Sequence, residues 1–440
     1  MDHFNFINGH LQVEHVDVRQ IVEQHGSPVY IYSAQTLKNH YAVLQDAFSA
    51  LSPLICFSVK SCSNLSILKL LVDEGSGLDV VSGGELYRAL MAGVTADKIV
   101  FAGVGKSREE ISYAVEAGVL LFNVESEAEL LRLDEIASTA SKRIKVTIRV
   151  NPDVADAGTH EKTSTGGRQT KFGIPIESAY ELFAPKRYSS VDVVGIHIHL
   201  GSPIPSVQTY LSAIDKVEDM INRLEAVDCA VEFVNIGGGF PAPYGTESNP
   251  VCSLTETGAL ICARLHPLKQ RGIRFIIEPG RSISANAGIL LTTVEYIKQG
   301  WDRKIVIVDA GMNVLLRPTL YGANHVIWPT HFDNFSGHWT TLTRSAQYSG
   351  VTRLEETDIV GPICETGDYF ALGRLLPAFG DGSLLAIFSC GAYGMSMASQ
   401  YNSRGRPPEV LVEGARAKLV RTRESHEDLV AHELCGLDNA

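Results

Sequence analysis

Lys60 closes the apolar run Ile55-Cys56-Phe57-Ser58-Val59, and a segment with helical spacing starts directly after it. A lysine in such a place is by default a surface residue. Its neighbours Val59, Cys62 and Leu65 are apolar, however, and a desolvated amine loses its proton more easily and becomes nucleophilic. An amine of that kind forms Schiff bases with pyridoxal phosphate, which further asks for a ring support, a phosphate cradle and a partner for its pyridine nitrogen. His199, Gly237-Gly238-Gly239 and Glu278 can meet those three demands. Each feature alone is weak; their joint occurrence is not. His197-x-His199 also invites a metal reading, since both side chains would share one face of a strand. With no third ligand nearby, two histidines are a poor zinc signal, and no metal is expected.

These residues sit at the ends of regularly spaced elements. Eight short apolar runs recur: Ile55–Val59, Leu78–Ser82, Ile99–Gly103, Leu120–Val124, Lys145–Val150, Val193–Leu200, Val231–Ile236 and Arg274–Glu278. Helix signals lie between them: Ser63-Asn64 as a cap, and Ser107-x-x-Glu110 and Ser126-x-x-Glu129 in the form of capping boxes. Strand and helix alternating eight times predict a parallel (β/α)8 barrel, in which reacting groups gather where the strands finish. Thr36–Phe48 reads as an extra helix ahead of the first strand. The polar stretch from Asn151 to Gly173 has no periodicity, and structureless connections of that length are usually functional or disordered. Its place after a barrel strand suggests a lid. Past Arg281 the texture turns to β-rich runs punctuated by glycine and proline: Ile289–Ile297, Lys304–Asp309, His325–Trp328, Leu384–Cys390 and Glu409–Val420. The expected organisation is a barrel over 36–285 and an antiparallel β-rich domain from 1–35 plus 286–440, with Phe6–Val13 and Val29–Tyr32 as strands that join it.

The bulk numbers narrow the partners. Of 440 residues 45% are hydrophobic and 20% charged, ordinary for a globular protein. A formal charge of −12 argues against nucleic acid or an anionic membrane as the main partner. No apolar stretch approaches the roughly 20 residues that cross a bilayer, and Met1-Asp-His-Phe-Asn-Phe6 lacks the basic and apolar regions of a secretory signal. Eight scattered cysteines without a CxxC pair read as free thiols in a reducing cytoplasm. Gly105-Lys106-Ser107 looks like the end of a phosphate-binding P-loop, but Val100 stands where that motif needs glycine.

The whole pattern resembles the alanine-racemase-like, fold-type III pyridoxal-phosphate enzymes, and among them the diaminopimelate decarboxylase family, from about Pro28 to Glu424. The matching stretches are Phe57-Ser-Val-Lys60, Leu78-Asp-Val-Val-Ser-Gly-Gly-Glu-Leu86, Thr165-Gly166 with Lys171-Phe-Gly173, His199-Leu-Gly-Ser202, Gly237-Gly-Gly239, Glu278-Pro-Gly-Arg281, Arg317-Pro-Thr-Leu-Tyr-Gly-Ala323, Gly361-Pro-Ile-Cys-Glu365 and Gly391-Ala-Tyr393. The resemblance implies a β-sandwich-like second domain and a homodimer whose sites are shared. It implies Lys60 as the cofactor's covalent anchor, His199 stacked on its ring, and Gly237, Gly238, Gly239, Glu278, Pro279, Gly280 and Arg281 around its phosphate and ring nitrogen. Tyr393 would also touch the cofactor. Cys364 would return a proton after decarboxylation, and Arg281, Arg317, Tyr321, Glu365 and Tyr393 would bind substrate, with Cys364 and Glu365 coming from the other subunit. Two stretches depart from the family's wording: Phe57-Ser-Val-Lys-Ser-Cys62, where Tyr-Ala-Val-Lys-Ala-Asn is usual, so that Cys62 replaces an asparagine, and Gly322-Ala-Asn324-His325.

The far end of the substrate decides among relatives of this kind. Meso-2,6-diaminopimelate carries a distal amine and a distal carboxylate, which Glu365 and Arg317 can pair. Ornithine, arginine and lysine, as substrates, lack that carboxylate and would leave a buried arginine unpaired, which is costly. The expected reaction is therefore decarboxylation of diaminopimelate to L-lysine, the last step of lysine biosynthesis. The alternatives are another amino-acid decarboxylase of the same fold, including those acting on siderophore precursors. A racemase would need a second base in place of the Cys364 block, and a cofactor carrier would lack the second domain.

Overall fold

The computed structural model describes residues 2–184, 187–245, 253–333, 335–340 and 354–437. The chain divides into two compact units, one of Met1–Asn39, Pro243–Asn249 and Ser284–Ala440, the other of His40–Ala242 and Pro250–Ile283.

All eight predicted runs are barrel strands in the second of these units: Leu54–Ser58, Gly77–Val80, Ile99–Phe101, Leu121–Val124, Ile144–Asn151, Val191–His197, Phe233–Asn235 and Arg274–Ile277. Neighbours pair in parallel in chain order, and Arg274–Ile277 returns to pair with Leu54–Ser58, closing the ring. Side chains two apart on a strand share a face, and the barrel interior uses that period to separate two layers. Cys56, Leu121, Phe233 and Ile276 belong to one apolar cluster with Val100 and Val194. Two residues on from the first four stand Ser58, Asn123, Asn235 and Glu278, all buried and polar. Apolar burial at the bottom holds the ring together, at about 1.5–3 kcal/mol for each large side chain. The layer above it is free to do chemistry.

The helix signals locate the outer ring. Asn64 accepts a hydrogen bond from Ser66 N, and Ser107 with Glu110 forms a complete capping box. Ser126 caps its helix through Glu129 N, but the Glu129 carboxylate turns away to Glu125 N and Lys106 Nζ. Lys106 is thereby explained: its buried ammonium donates to Gly103 O, Asn123 O and Glu129, a structural tie rather than a phosphate ligand. The long connection is pinned to the barrel. Asp156 accepts from Ser206 N at 3.2 Å and Thr209 Oγ1 at 2.6 Å, capping the helix Val207–Glu225 that its own Ser206 leaves uncapped.

In the other unit Val29–Ser33 lies between Gly288–Gln299, antiparallel, and Glu409–Glu413, parallel. The N-terminal segment thus joins the C-terminal strands, as expected. Phe6–Val13 is not one strand but a hairpin, Phe4–Ile7 with His10–Val13. Asn8 and Gly9 turn it with φ of 50° and 82°, the positive pair that an Asn-Gly turn favours. Glu409–Val420 likewise folds back at Gly414 into Glu409–Glu413 and Arg416–Arg421. Leu354–Val360 and Tyr369–Pro377 are strands that the hydrophobic pattern did not reveal, and Lys304–Val308 pairs with the first of them in parallel. The sheet of this unit is therefore mixed rather than purely antiparallel.

Candidate active site

At the strand ends of the barrel a cavity of about 440 Å³ is lined by Lys60, Arg149, Thr165, Phe172, His197, His199 and Glu278 among others. Lys60 reaches it from the turn Val59–Ser61 that follows its strand. The amine is not surrounded by apolar wall alone. Its Nζ lies 3.0 Å from the buried Asp79 carboxylate, and the side chain keeps 37% of its exposure. Asp79 stands opposite Ser58 in the register of adjacent strands, and Ser58 Oγ donates to the same oxygen at 2.6 Å. Burial raises the Asp79 carboxyl above its usual range, and Lys60 and Ser58 partly offset that rise. The pairing of Asp79 with the lysine depends on strand register, which a sequence does not display.

Glu278 is held from three sides. Asn123 Nδ2 and Asn235 Nδ2 donate to Oε1 at 2.9 and 2.6 Å, and His197 Nε2 lies 3.3 Å from Oε2. Burial by itself would favour the neutral acid, but His197 and Lys60 overcome it and hold the carboxyl well below its usual range. The anion is therefore fixed in the cavity wall. His197 belongs with it, and the two histidines of His197-x-His199 serve different partners. His199 Nδ1 accepts from Gly238 N at 3.1 Å, so its proton sits on Nε2. Burial, with Arg149 and Lys60 adding to it, pushes its pKa well down. His199 is a neutral flat ring at the cavity.

Gly238 has no room for a side chain: a Cβ there would come within 2.1 Å of Glu278 O. Gly239 adopts φ +96°, which favours glycine. Backbone N–H groups can approach a ligand closely at such a place. Gly280 packs on Ser58 and Ser61, and Arg281 donates through Nε to Ser202 Oγ at 3.0 Å. A lysine amine held by a buried carboxylate, a fixed glutamate anion, a neutral imidazole and a bare glycine backbone fit the groups that pyridoxal phosphate presents. Arg149, paired with Glu125 and stacked at 4.7 Å over Phe172, adds a cation to the wall that the sequence reading left without a role. Its Nη2 is buried with no hydrogen-bond partner among the described residues.

The remaining predicted residues belong to the other unit. Cys364 and Glu365 are exposed on a loop wound around Asp368, whose carboxylate accepts from Met312 N at 2.6 Å and Ile363 N at 2.7 Å. Cys364 N donates to Asn402 Oδ1. Tyr393 has a φ of 55°, a left-handed conformation rare outside glycine and common at functional sites. Arg317 and Tyr321 begin and end one helical turn. Arg317 is only 7% exposed, and among the described residues no carboxylate lies within ion-pair distance of it. Its guanidinium meets His325 Nε2 at 2.9 Å and the ring of Tyr244 at 4.9 Å. A buried cation whose partners among the described residues are uncharged can take an anion.

Comparison with known proteins adds a family to this geometry. The model of the pyridoxal-binding domain of pyridoxal-dependent decarboxylases matches residues 34–285. The diaminopimelate decarboxylase of Pseudomonas fluorescens is 42% identical over 435 residues, covering 98% of this chain and 99% of that one. That of Neisseria meningitidis serogroup B is 41% identical, covering 96% and 97%. Among solved structures, diaminopimelate decarboxylase from Helicobacter pylori complexed with L-lysine superposes with a TM-score of 0.87 at 37% identity, covering 96% of this chain and 100% of that one. The enzyme from M. jannaschii in co-complex with L-lysine gives 0.89 at 35% identity, covering 98% of each chain.

Proposed function

The chain belongs to the diaminopimelate decarboxylase family of pyridoxal-dependent decarboxylases, and from that premise we propose how its own residues release carbon dioxide from one end of meso-2,6-diaminopimelate and leave L-lysine. Bound pyridoxal phosphate supplies the electron sink that makes loss of carbon dioxide feasible. Lys60 is its covalent anchor, kept in place by Asp79. Glu278 meets the ring nitrogen, and its fixed negative charge favours the protonated ring. His199 supports the ring face. Gly237, Gly238 and Gly239, with Pro279, Gly280 and Arg281, surround the phosphate. The barrel unit, His40–Ala242 with Pro250–Ile283, carries this machinery, close to the expected span of 36–285.

The residues of the β-rich domain complete the reaction. Cys364 returns a proton to the carbon that has lost its carboxylate. Tyr321 and Tyr393, with Arg281 of the barrel, bind and orient substrate, and Glu365 pairs with the distal ammonium. Exposure of Cys364 and Glu365 suits delivery from a second subunit, so the active form is a homodimer with shared sites. Free thiols at all seven described cysteines support a cytoplasmic setting; Cys252 lies outside the described residues.

The observation that carries the choice of substrate is Arg317, a nearly buried guanidinium without an acidic partner among the described residues. Diaminopimelate brings a distal carboxylate to it; ornithine, arginine and lysine, reacting at their α-carbon, do not. Arg317→Ala should raise KM for diaminopimelate by about 100-fold or more and narrow the preference over lysine. An unchanged KM would refute this assignment of the distal end.

A further inference from the structure

We infer that His325 is a positioning residue for substrate specificity: a neutral hydrogen-bond acceptor that aims the Arg317 guanidinium while leaving its charge uncompensated. The inference rests on the proposed role of Arg317 at the distal carboxylate.

The protonation state follows from the partners. His325 is fully buried, and its Nδ1 lies 2.9 Å from Phe388 O. A carbonyl only accepts, so Nδ1 carries the proton. Nε2 lies 2.9 Å from Arg317 Nη1. A guanidinium only donates, so Nε2 offers its lone pair. Both ring nitrogens are thereby assigned, and the imidazole is neutral. An imidazolium there would face the arginine donor to donor.

The ring itself is immobilised. Arg374 donates to His325 O and, at 2.7 Å, to Asn324 Oδ1, which fixes the backbone on which the imidazole is carried. Tyr244 meets both members of the pair, edge-on to His325 with centroids 5.3 Å apart and 4.9 Å from the Arg317 guanidinium. One face and one nitrogen of the guanidinium are thus engaged by neutral groups. Its other N–H groups remain to grip a carboxylate in a fork. The acceptor's neutrality is the essential point. An aspartate or glutamate at position 325 would orient Arg317 equally well, but it would cancel the charge that selects a substrate with a distal carboxylate. Asn324 and His325 together build this support.

The test is steady-state kinetics and binding with the holoenzyme. His325→Leu removes the acceptor and should raise KM for diaminopimelate by about ten-fold, the scale of one hydrogen bond to a charged group, with kcat changed far less. Binding of L-lysine, which keeps the distal amino-acid head of diaminopimelate, should weaken in step. Binding of 1,5-diaminopentane, which has no carboxylate, should not, and the absorbance of the bound cofactor should stay as it is. His325→Gln, whose amide oxygen can accept, should restore most of the affinity, whereas His325→Glu should not. Should the leucine variant fail to fold, the Gln and Glu variants decide, and equal KM in those two overturns the inference. So does a leucine variant with unchanged KM, or one in which lysine and diaminopentane weaken alike. Arg317→Ala measured alongside separates the two claims: raised KM there with none in His325→Leu removes His325 only, while unchanged KM in Arg317→Ala removes both.

Discussion

Lys60, His199 and Glu278 were legible because reactive side-chain types at strand ends are rare and stood together in the order of the chain. Their partners were not. Asp79, Asn123, Asn235 and His197 act across the barrel, and only the register of the closed ring brings them to Lys60 and Glu278. The signal that could have found them is the i, i+2 pairing of an apolar and a polar residue on several strands. Glu85 is a further case. It opens the helix after the Gly77–Val80 strand and accepts from Val81 N. Burial pushes its carboxyl from 4.5 up to about 7, against the pull of Val81 N–H and Lys60. The folded protein then keeps a proton that the unfolded chain has already released, so this group's contribution is full below the unfolded pKa and is lost as pH rises through the folded one. Thermal stability should therefore decline between about pH 5 and about pH 7, and Glu85→Gln should flatten that decline. A decline of equal slope in the variant would contradict the assignment.

At the scale of elements, the eight strands and the helix caps followed from periodicity and from Ser and Asn at the right offsets. The apolar pattern continues across the tight turns at Asn8-Gly9 and Gly414, so it suggests single strands where the chain forms hairpins. Leu354–Val360 escaped notice because four of its seven residues are acidic or threonine, Glu355, Glu356, Thr357 and Asp358. The long connection after Ile144–Asn151 stands out by its length and polarity, but nothing in its sequence announces that Asp156 serves as the missing cap of Val207–Glu225. Asp156→Ala should cost about 1–2 kcal/mol, the worth of a lost cap with its buried acceptor. Hydrogen exchange should then quicken at the first turn of that helix and along residues 153–166. Unchanged exchange at Ser206 and Thr209 would show that the helix does not depend on it.

For the whole molecule, the proposed homodimer with shared sites makes a prediction that neither unit makes alone. Lys60→Ala and Cys364→Ala should each be nearly inactive. Mixed after dissociation, they should regain up to about a quarter of wild-type activity, since in half of randomly paired dimers one of two sites is intact. No recovery in a mixture shown to exchange subunits would place both residues in one chain's site. The most direct measurement of the central claim is the product of the purified holoenzyme with meso-diaminopimelate, L-lysine, L-ornithine and L-arginine, each assayed for carbon dioxide and for the amine that remains. The account predicts one carbon dioxide and one L-lysine from each diaminopimelate, with kcat/KM exceeding that of the other three by about 10⁴-fold. Faster release of carbon dioxide from ornithine, arginine or lysine would contradict it.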